Sequence, residues 1–382
     1  MKRRLLYLVT EDWYFCSHRL GLARAAQQSG YEVHVVTQVA RHGGAIEEAG
    51  LELHAIRFAR SARRPVQDMK TLYAVARIYR SVKPELVHHV AMKPILYGSI
   101  AASLWSVPRV VNAYTGLGFM FSSRRYTARA LRAMVTRIGR PVINHARCWS
   151  IVQNADDRLT LARAGLIDES RSFLIRGSGV DVNAFTPAPE SDGLPVVMLA
   201  ARLLWDKGIG EFIAAARRLR AEGVKARFVL VGDPDPENPM SVAEEIVRAW
   251  AQERCIEWWG HVEPMPEVLR QAHLVCLPSY REGLPKVLLE AAACGRALIA
   301  TDTPGCREVV RHGENGLLVP VHDVDALAAA IADLLSDAPR RRAMGKKGRA
   351  IVEREFSIER VVSETLEAYR VITETAPGGA LQ

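Results

Sequence analysis

The stretch Leu274-Val275-Cys276-Leu277-Pro278-Ser279-Tyr280-Arg281-Glu282-Gly283-Leu284-Pro285-Lys286-Val287-Leu288-Leu289-Glu290-Ala291-Ala292 decides the fold. Four apolar residues make a short buried strand. A polar loop follows, and residues 286–294 then repeat apolar side chains at helical spacing. The same alternation extends in both directions. Before it, strands are expected at 196–200, 227–231 and 256–259, with helices at 209–221 and 241–252. After it come strands at 297–300 and 317–319 and helices at 323–335, 339–355 and 357–374. The first half repeats the pattern, with strands at 4–9, 32–36, 52–56, 86–90, 109–113 and 148–152 and helices near 19–29, 68–81, 95–105 and 124–145. Strand–helix alternation on this scale implies parallel sheets covered on both faces. It pauses at Gly177-Ser178-Gly179, where Pro187, Pro189 and Gly193 follow. The expectation is an α/β protein of two Rossmann-like, doubly wound domains, 1–185 and 190–356, facing a deep cleft. The last helix, about 357–374, packs back on the first domain.

Composition agrees. The chain has 382 residues, 49% hydrophobic and 24% charged, which excludes a largely disordered chain and suits two or three domains. Its six cysteines form no C-x-x-C pair and no zinc spacing, and they read as reduced thiols. The apolar run at 5–9 is stopped by Glu11-Asp12, so it reads as a first strand and not as a secretory leader. No apolar run approaches the length of a membrane-spanning helix.

Charge is split between the halves. Residues 1–185 hold 27 Lys+Arg against 13 Asp+Glu, and residues 186–382 hold 24 against 29. A basic half suggests a polyanionic partner. Nucleic acid is not expected, since basic and aromatic residues are not interleaved and no binding module is recognisable. Between Glu85 and Asp156 no acidic residue occurs. There Arg125, Arg129 and Arg132 share one arc of the expected helix 124–145, after an apolar loop containing Phe119 and Phe121. These residues read either as a solvated helix face or as a docking surface for anionic membrane.

In the deciding stretch, Pro285 suits the first helical turn. The free N–H groups there attract an anion, and Gly283 permits close backbone approach. Glu282 lies in the loop and Glu290 in the second helical turn, a spacing that can hold two sets of sugar hydroxyls. The alternative is two glutamates without a special role. Arg202 and Lys207, after the strand at 196–200, can neutralise a diphosphate or form a solvated pair. Asp233-Pro234-Asp235 and Asp323-Val324-Asp325 both spell D-x-D. The first suits a turn and the second a helix start, so neither is expected to hold metal. His88 and His89 alternate sides of a strand and cannot form a one-face metal site.

Taken in order, A-R-L-x-x-x-K-G, V-G-D, P-S-x-x-E-G-L-P-x-x-L-L-E-A, P-G-x-R-E-V-V and N-G-L-L-V-P resemble the retaining family-4 glycosyltransferases of GT-B fold. The first half, through Ser17-His18-Arg19-Leu20, His88-His89-x-x-x-Lys93-Pro94 and Asn112 to Phe119, is similar to bacterial members that extend lipid-linked sugars for surface polysaccharides. The resemblance implies a hexosyl- or N-acetylhexosaminyltransferase. Arg202 and Lys207 bind the donor diphosphate, Glu282 holds the donor sugar and Glu290 the nucleotide ribose. The backbone of Gly283, Leu284 and Pro285 faces sugar and phosphates. The catalytic set is Glu282, Arg202 and Lys207. His18, Thr115 and Gly116 belong to the acceptor side, where many members carry a histidine near the position of Thr115 and His18 is the substitute to test. The implied donor is a nucleotide-sugar, a UDP-sugar by preference, with no cofactor and no metal. The implied acceptor is a glycan or a polyprenyl-diphosphate-linked sugar. The implied location is cytoplasmic, on the inner face of the bacterial cytoplasmic membrane. A nucleotide-sugar 2-epimerase of the same architecture and a non-catalytic sugar-nucleotide binder are the alternatives. Nucleoside-diphosphate release that depends on acceptor separates them.

Overall fold

The structure, a computed structural model, describes residues 2–58, 65–117, 136–137 and 139–375. Phe119, Phe121, Arg125, Arg129 and Arg132, with most of the expected helix 124–145, lie outside the described residues. The chain forms two compact units, one from Met1–Ser178 with Glu359–Gln382, the other from Gly179–Ile358. The division falls before residues 179–189, which were expected to divide between the first domain and a linker. Val180 donates to Phe356 O and accepts from Ile358 N, both at 3.0 Å. Arg349 donates to Val182 O and Phe185 O. These bonds fasten the segment to the second unit.

The first unit runs β1 (Arg3–Glu11), α1 (Asp12–His18), α2 (Leu20–Gln28), β2 (Tyr31–Gln38), α3 (Gly43–Glu48), β3 (Glu52–Ala55), α4 (Pro65–Val82), β4 (Leu86–Val90), α5 (Met92–Leu104), β5 (Arg109–Tyr114), β6 (Cys148–Val152), α6 (Ala155–Arg163) and β7 (Ser172–Leu174). Among the described residues the sheet is all parallel in the order β3-β2-β1-β4-β5-β6-β7. Both faces of β1 are buried, with Leu5, Tyr7 and Val9 in one core and Leu6 and Leu8 in the other. That burial explains its unbroken apolar run.

Residues 13–18, which lie between the expected strand at 4–9 and the expected helix near 19–29, belong to helix α1. The buried carboxylate of Asp12 accepts the amides of Ala40, Arg41 and His42 at 2.7–2.9 Å and that of Trp13 at 2.7 Å. Burial alone would raise its pKa, but these donors outweigh it and hold the group below the ordinary range. The amides at 40–42 that hold Asp12 lie outside the helix, so periodicity does not reveal the anchor. Helices α3 and α6 and strand β7 were also not expected from the sequence. They are short, and the pattern along them is weak.

The second unit runs β8 (Val196–Ala200), α7 (Ile209–Ala221), β9 (Arg227–Val231), α8 (Glu244–Gln252), β10 (Glu257–Gly260), α9 (Met265–Arg270), β11 (Leu274–Leu277), α10 (Lys286–Ala293), β12 (Ala297–Thr301), α11 (Pro304–Val309), β13 (Gly316–Val319), α12 (Val324–Ser336) and α13 (Ala338–Glu355). Its parallel order is β10-β9-β8-β11-β12-β13. The short helices α9 and α11 were not expected. The chain then enters α14 (Ile358–Glu374), whose Val361, Ala368, Tyr369 and Ile372 join the first unit's core. Arg109 donates to Ile372 O and Thr373 O at 2.8 and 2.7 Å, satisfying carbonyls at the helix end.

His88 and His89 line two cores, one on each side of β4. His88 Nδ1 bonds the Tyr369 hydroxyl, which lies 3.1 Å from the Tyr7 hydroxyl. His89 Nδ1 donates to Asn112 Oδ1, and its Nε2 accepts from the Tyr79 hydroxyl, both at 2.8 Å. Burial depresses both rings, His89 to about 4 and His88 well below the usual value. The unfolded chain takes up these protons near pH 6.5 and the folded chain does not. Stability is therefore full above about pH 6.5 and falls as pH drops toward 4, by at most about 1.4 kcal/mol per pH unit for each ring. Urea midpoints measured across that window should fall less steeply in His89→Gln than in the parent. Equal slopes would show that His89 is not held neutral.

Candidate active site

In each sheet the strand order reverses beside the first strand, and ligands of such sheets bind outside the carboxyl ends at that reversal. In the second unit the reversal lies between β8 and β11, which pair Leu274 with Val197 and Val275 with Met198. The two loops that leave these strands carry Arg202, Lys207 and Glu282. Parallel pairing thus places residues far apart in sequence at one sheet edge.

The loops meet backbone to backbone. Tyr280 N donates to Asp206 O at 2.9 Å. Gly208 has φ +74°, and a Cβ on it would lie 2.1 Å from Pro278 O. That is the reason for the glycine after Lys207. Across this contact Lys207 Nζ sits 2.5 Å from Glu282 Oε1, with both side chains largely shielded. Asp206 beside them is raised by burial, lowered by Lys207 and raised again by Glu282. Arg202 lies at the more exposed rim, its Nη1 2.9 Å from Asp235 Oδ2.

Pro285, expected inside the first helical turn, is instead the N-cap of α10 in an extended conformation, and the helix begins at Lys286. Its missing N–H still removes no helical hydrogen bond, because that position precedes the ladder. Gly283 and Leu284 complete the turn before it. Glu290 is buried on α10, 3.2 Å from Lys286 Nζ. Burial raises its carboxyl, and Lys286 counteracts this in part.

The loop has a second anchor that sequence reading missed. The Tyr280 hydroxyl donates to both carboxylate oxygens of Glu211, at 2.9 and 3.1 Å, in the first turn of α7. The ring of His322 lies 4.0 Å from that of Tyr280, and its Nδ1 is 3.2 Å from Glu211. No motif joins these three positions. The start of α11 supports the loop from another side. A Cβ on Gly305 would fall 2.5 Å from Gly283 O and 2.7 Å from Glu282 O. The signal for this one was in the sequence, in P-G-x-R-E-V-V, without its physical meaning.

Both D-x-D tripeptides have structural partners. Asp323 caps α12 by accepting Ala326 N at 2.8 Å, and Asp325 pairs with Arg218. Asp233 accepts His261 N at 3.1 Å, and Asp235 holds Arg202. Among the described residues no cluster of three His, Cys, Asp or Glu side chains is placed to hold a metal.

In the first unit, His18 ends α1 after β1, and Thr115 and Gly116 follow β5. His18 is half-buried and stacks on Tyr14, with ring centroids 4.1 Å apart. Thr115 and Gly116 are also half-buried.

Residues 4–140 match the family model described as glycosyl transferase 4-like, and residues 194–337 match glycosyl transferases group 1. The chain belongs to these glycosyltransferases, and its two parallel-sheet domains have the GT-B fold. It is 26% identical to the N,N'-diacetylbacillosaminyl-diphospho-undecaprenol alpha-1,3-N-acetylgalactosaminyltransferase of Campylobacter jejuni, over 86% of this chain and 88% of that protein. It is 24% identical to the UDP-Gal:alpha-D-GlcNAc-diphosphoundecaprenol alpha-1,3-galactosyltransferase of Escherichia coli, over 80% of each. Among solved structures, the sucrose-phosphate synthase of Thermosynechococcus elongatus superposes with a TM-score of 0.81 at 22% identity, covering 97% of this chain and 99% of that one.

Gly305→Ala should push the Glu282–Gly283 carbonyls outward, costing about 1–3 kcal/mol of stability and weakening donor binding. Gly44→Ala, with open space at its Cβ position, should change neither. Thermal melting with and without nucleotide checks both. Equal behaviour of the two variants would refute the packing account.

Proposed function

We propose that this glycosyltransferase moves a hexosyl or N-acetylhexosaminyl residue from a nucleotide-sugar, a UDP-sugar by preference, to a polyprenyl-diphosphate-linked sugar, with retention at the anomeric carbon. The contact between Lys207 and Glu282 at the β8–β11 edge carries the reading. A donor diphosphate competes with Glu282 for Lys207. When it wins, it frees the carboxylate to accept the sugar's hydroxyls. Arg202, Lys207 and the N-terminal end of α10 then face the oxygen that gains negative charge as the glycosidic bond breaks. That fixed positive field is the basis for proposing that no metal or other cofactor is required. Glu290 binds the ribose, and the backbone of Gly283, Leu284 and Pro285 lines the sugar and phosphates.

The acceptor belongs to the first unit, with His18, Thr115 and Gly116 at the ends of β1 and β5. The named acceptors of the Campylobacter and Escherichia relatives support a lipid-linked diphosphate sugar. Such an acceptor puts the enzyme on the cytoplasmic face of the bacterial inner membrane. Among the described residues no helix is long and apolar enough to cross a membrane, so peripheral attachment is the proposed mode. The test is a panel of UDP-, GDP- and ADP-sugars in thermal shift, followed by nucleoside-diphosphate release with and without a polyprenyl-diphosphate-linked sugar. Release that needs no acceptor, or none at all, overturns the proposal. The anomeric configuration of the product by NMR tests retention.

Arg202→Ala and Lys207→Ala should each lower kcat by about 10²–10³, with circular dichroism unchanged. Full activity in either would remove the phosphate role. Glu282→Gln should act mainly on kcat. Glu290→Gln should act mainly on the donor KM, since ribose contacts are the same in ground and transition states. Turnover should persist in EDTA, and activity lost to the chelator and restored by a divalent ion would refute metal independence.

A further inference from the structure

Helix α4 of the first unit carries apolar side chains on two opposite faces. Val75, Tyr79 and Val82 are buried in the core with Tyr97 and Ala101 of α5. On the other side Val66, Met69 and Tyr73 are 70%, 64% and 71% exposed. Lys70, Arg77 and Arg80 are exposed beside them. At 3.6 residues per turn these six positions fall within an arc of about 100°, running about 21 Å along the helix. Asp68, the one acidic residue of this helix, is turned toward α5, where its Oδ1 accepts the Tyr97 hydroxyl at 2.6 Å. The patch continues onto the end of α5. Leu104 is 66% exposed and the neighbouring Trp105 44%, with the Arg80 guanidinium 5.2 Å from the Trp105 ring centroid.

We infer that the outer face of α4, together with Leu104 and Trp105, docks this glycosyltransferase on an anionic bilayer. The inference deepens the membrane reading above and rests on it. It assigns the contact to a surface other than residues 119–132. Three features of the patch select a membrane over other occupants. Among the described residues of the helix no carboxylate shares the face of its cations, which matches anionic headgroups. Its apolar members include Tyr and Trp, side chains that settle at the headgroup level with one end apolar and the other wet. Apolar and cationic groups share one in-plane stripe, the combination that reversible peripheral binding requires. A second copy of the chain fits poorly. Pairing this face with itself would oppose Lys70, Arg77 and Arg80 to like charges.

The test is co-sedimentation of the full chain with phosphatidylcholine vesicles, with and without about one third phosphatidylglycerol, in low and high salt. The parent should bind only the anionic vesicles in low salt. Arg77→Ala with Arg80→Ala should weaken that binding about thirtyfold, and the loss should shrink in high salt as screening removes the charge term. Met69→Ser with Tyr73→Ser should weaken binding about tenfold or more at both salt concentrations. Thermal stabilisation by UDP-sugar, which reports the second unit, should be the same in parent and variants. The inference fails if the parent does not bind, or if both α4 variants sediment like it. It also fails if binding is lost only on changing Phe119 and Phe121 or Arg125, Arg129 and Arg132, or if the α4 variants abolish a self-association seen by sedimentation velocity. A parent that binds vesicles through α4 but transfers no sugar to the polyprenyl-diphosphate acceptor would overturn the proposed function and leave this surface standing.

Discussion

Pro278 O occupies the space that any side chain at residue 208 would need, with 2.1 Å to the position of a Cβ. The candidate active site depends on this backbone contact. The loop after β8 and the loop after β11 can touch only because their strands are neighbours at the reversal of the sheet. Once they touch, Lys207 and Glu282 are within an ion-pair distance, and Asp206 is shut in beside them. Further anchors limit how the β11 loop can move. The Glu211 carboxylate holds Tyr280, Thr301 Oγ1 donates to Ser279 O, and the first turn of α11 lies against the Glu282–Gly283 carbonyls. A site held this way is preorganised, which is what stabilising a developing charge demands.

The first unit has a different internal chemistry. Its sheet buries polar groups in number: Asp12 among amides, His89 between Tyr79 and Asn112, and His88 against Tyr369. Buried polar groups are tolerated when they are hydrogen-bonded, and in return they fix the partners' geometry. Tyr369 is the consequential case, because it comes from α14 at the far end of the chain. The Tyr7–Tyr369–His88 chain and the grip of Arg109 on the end of α14 tie that helix to β1, β4 and β5. The first unit is therefore complete only when the last helix is present.

Fold class and family were legible in the sequence, and so were the strand ends and the helix start on which the candidate site residues sit. The apolar runs of 4–6 residues, alternating with helical periods, could be buried on both faces only in parallel sheets, and the strands appear within a residue or two of where the runs lie. Arg202, Lys207, Glu282 and Glu290 stood out because strand ends and helix starts leave signals that are local: an apolar run, then a glycine or proline, then a period of 3.6. The short helices α1, α3, α9 and α11 left none, being too brief for a period to register.

Pairing was decided by tertiary structure alone. Nothing local couples Lys207 to Glu282 or Arg202 to Asp235, since the order of strands in the sheet sets those distances. Residues 179–185 read as the end of the first domain and 186–189 as a linker, yet hydrogen bonds from Arg349 and the Val180–Phe356 contact give the segment to the second unit. Helix α4 is the sharpest case. Its sequence shows apolar residues on both sides, so periodicity cannot say which face is inside. Packing of Val75, Tyr79 and Val82 against α5 buries one face and turns Val66, Met69 and Tyr73 to the outside. Sequence fixes what each residue can do in water or in a core, and only the assembled sheet and its neighbours decide which of the two it meets.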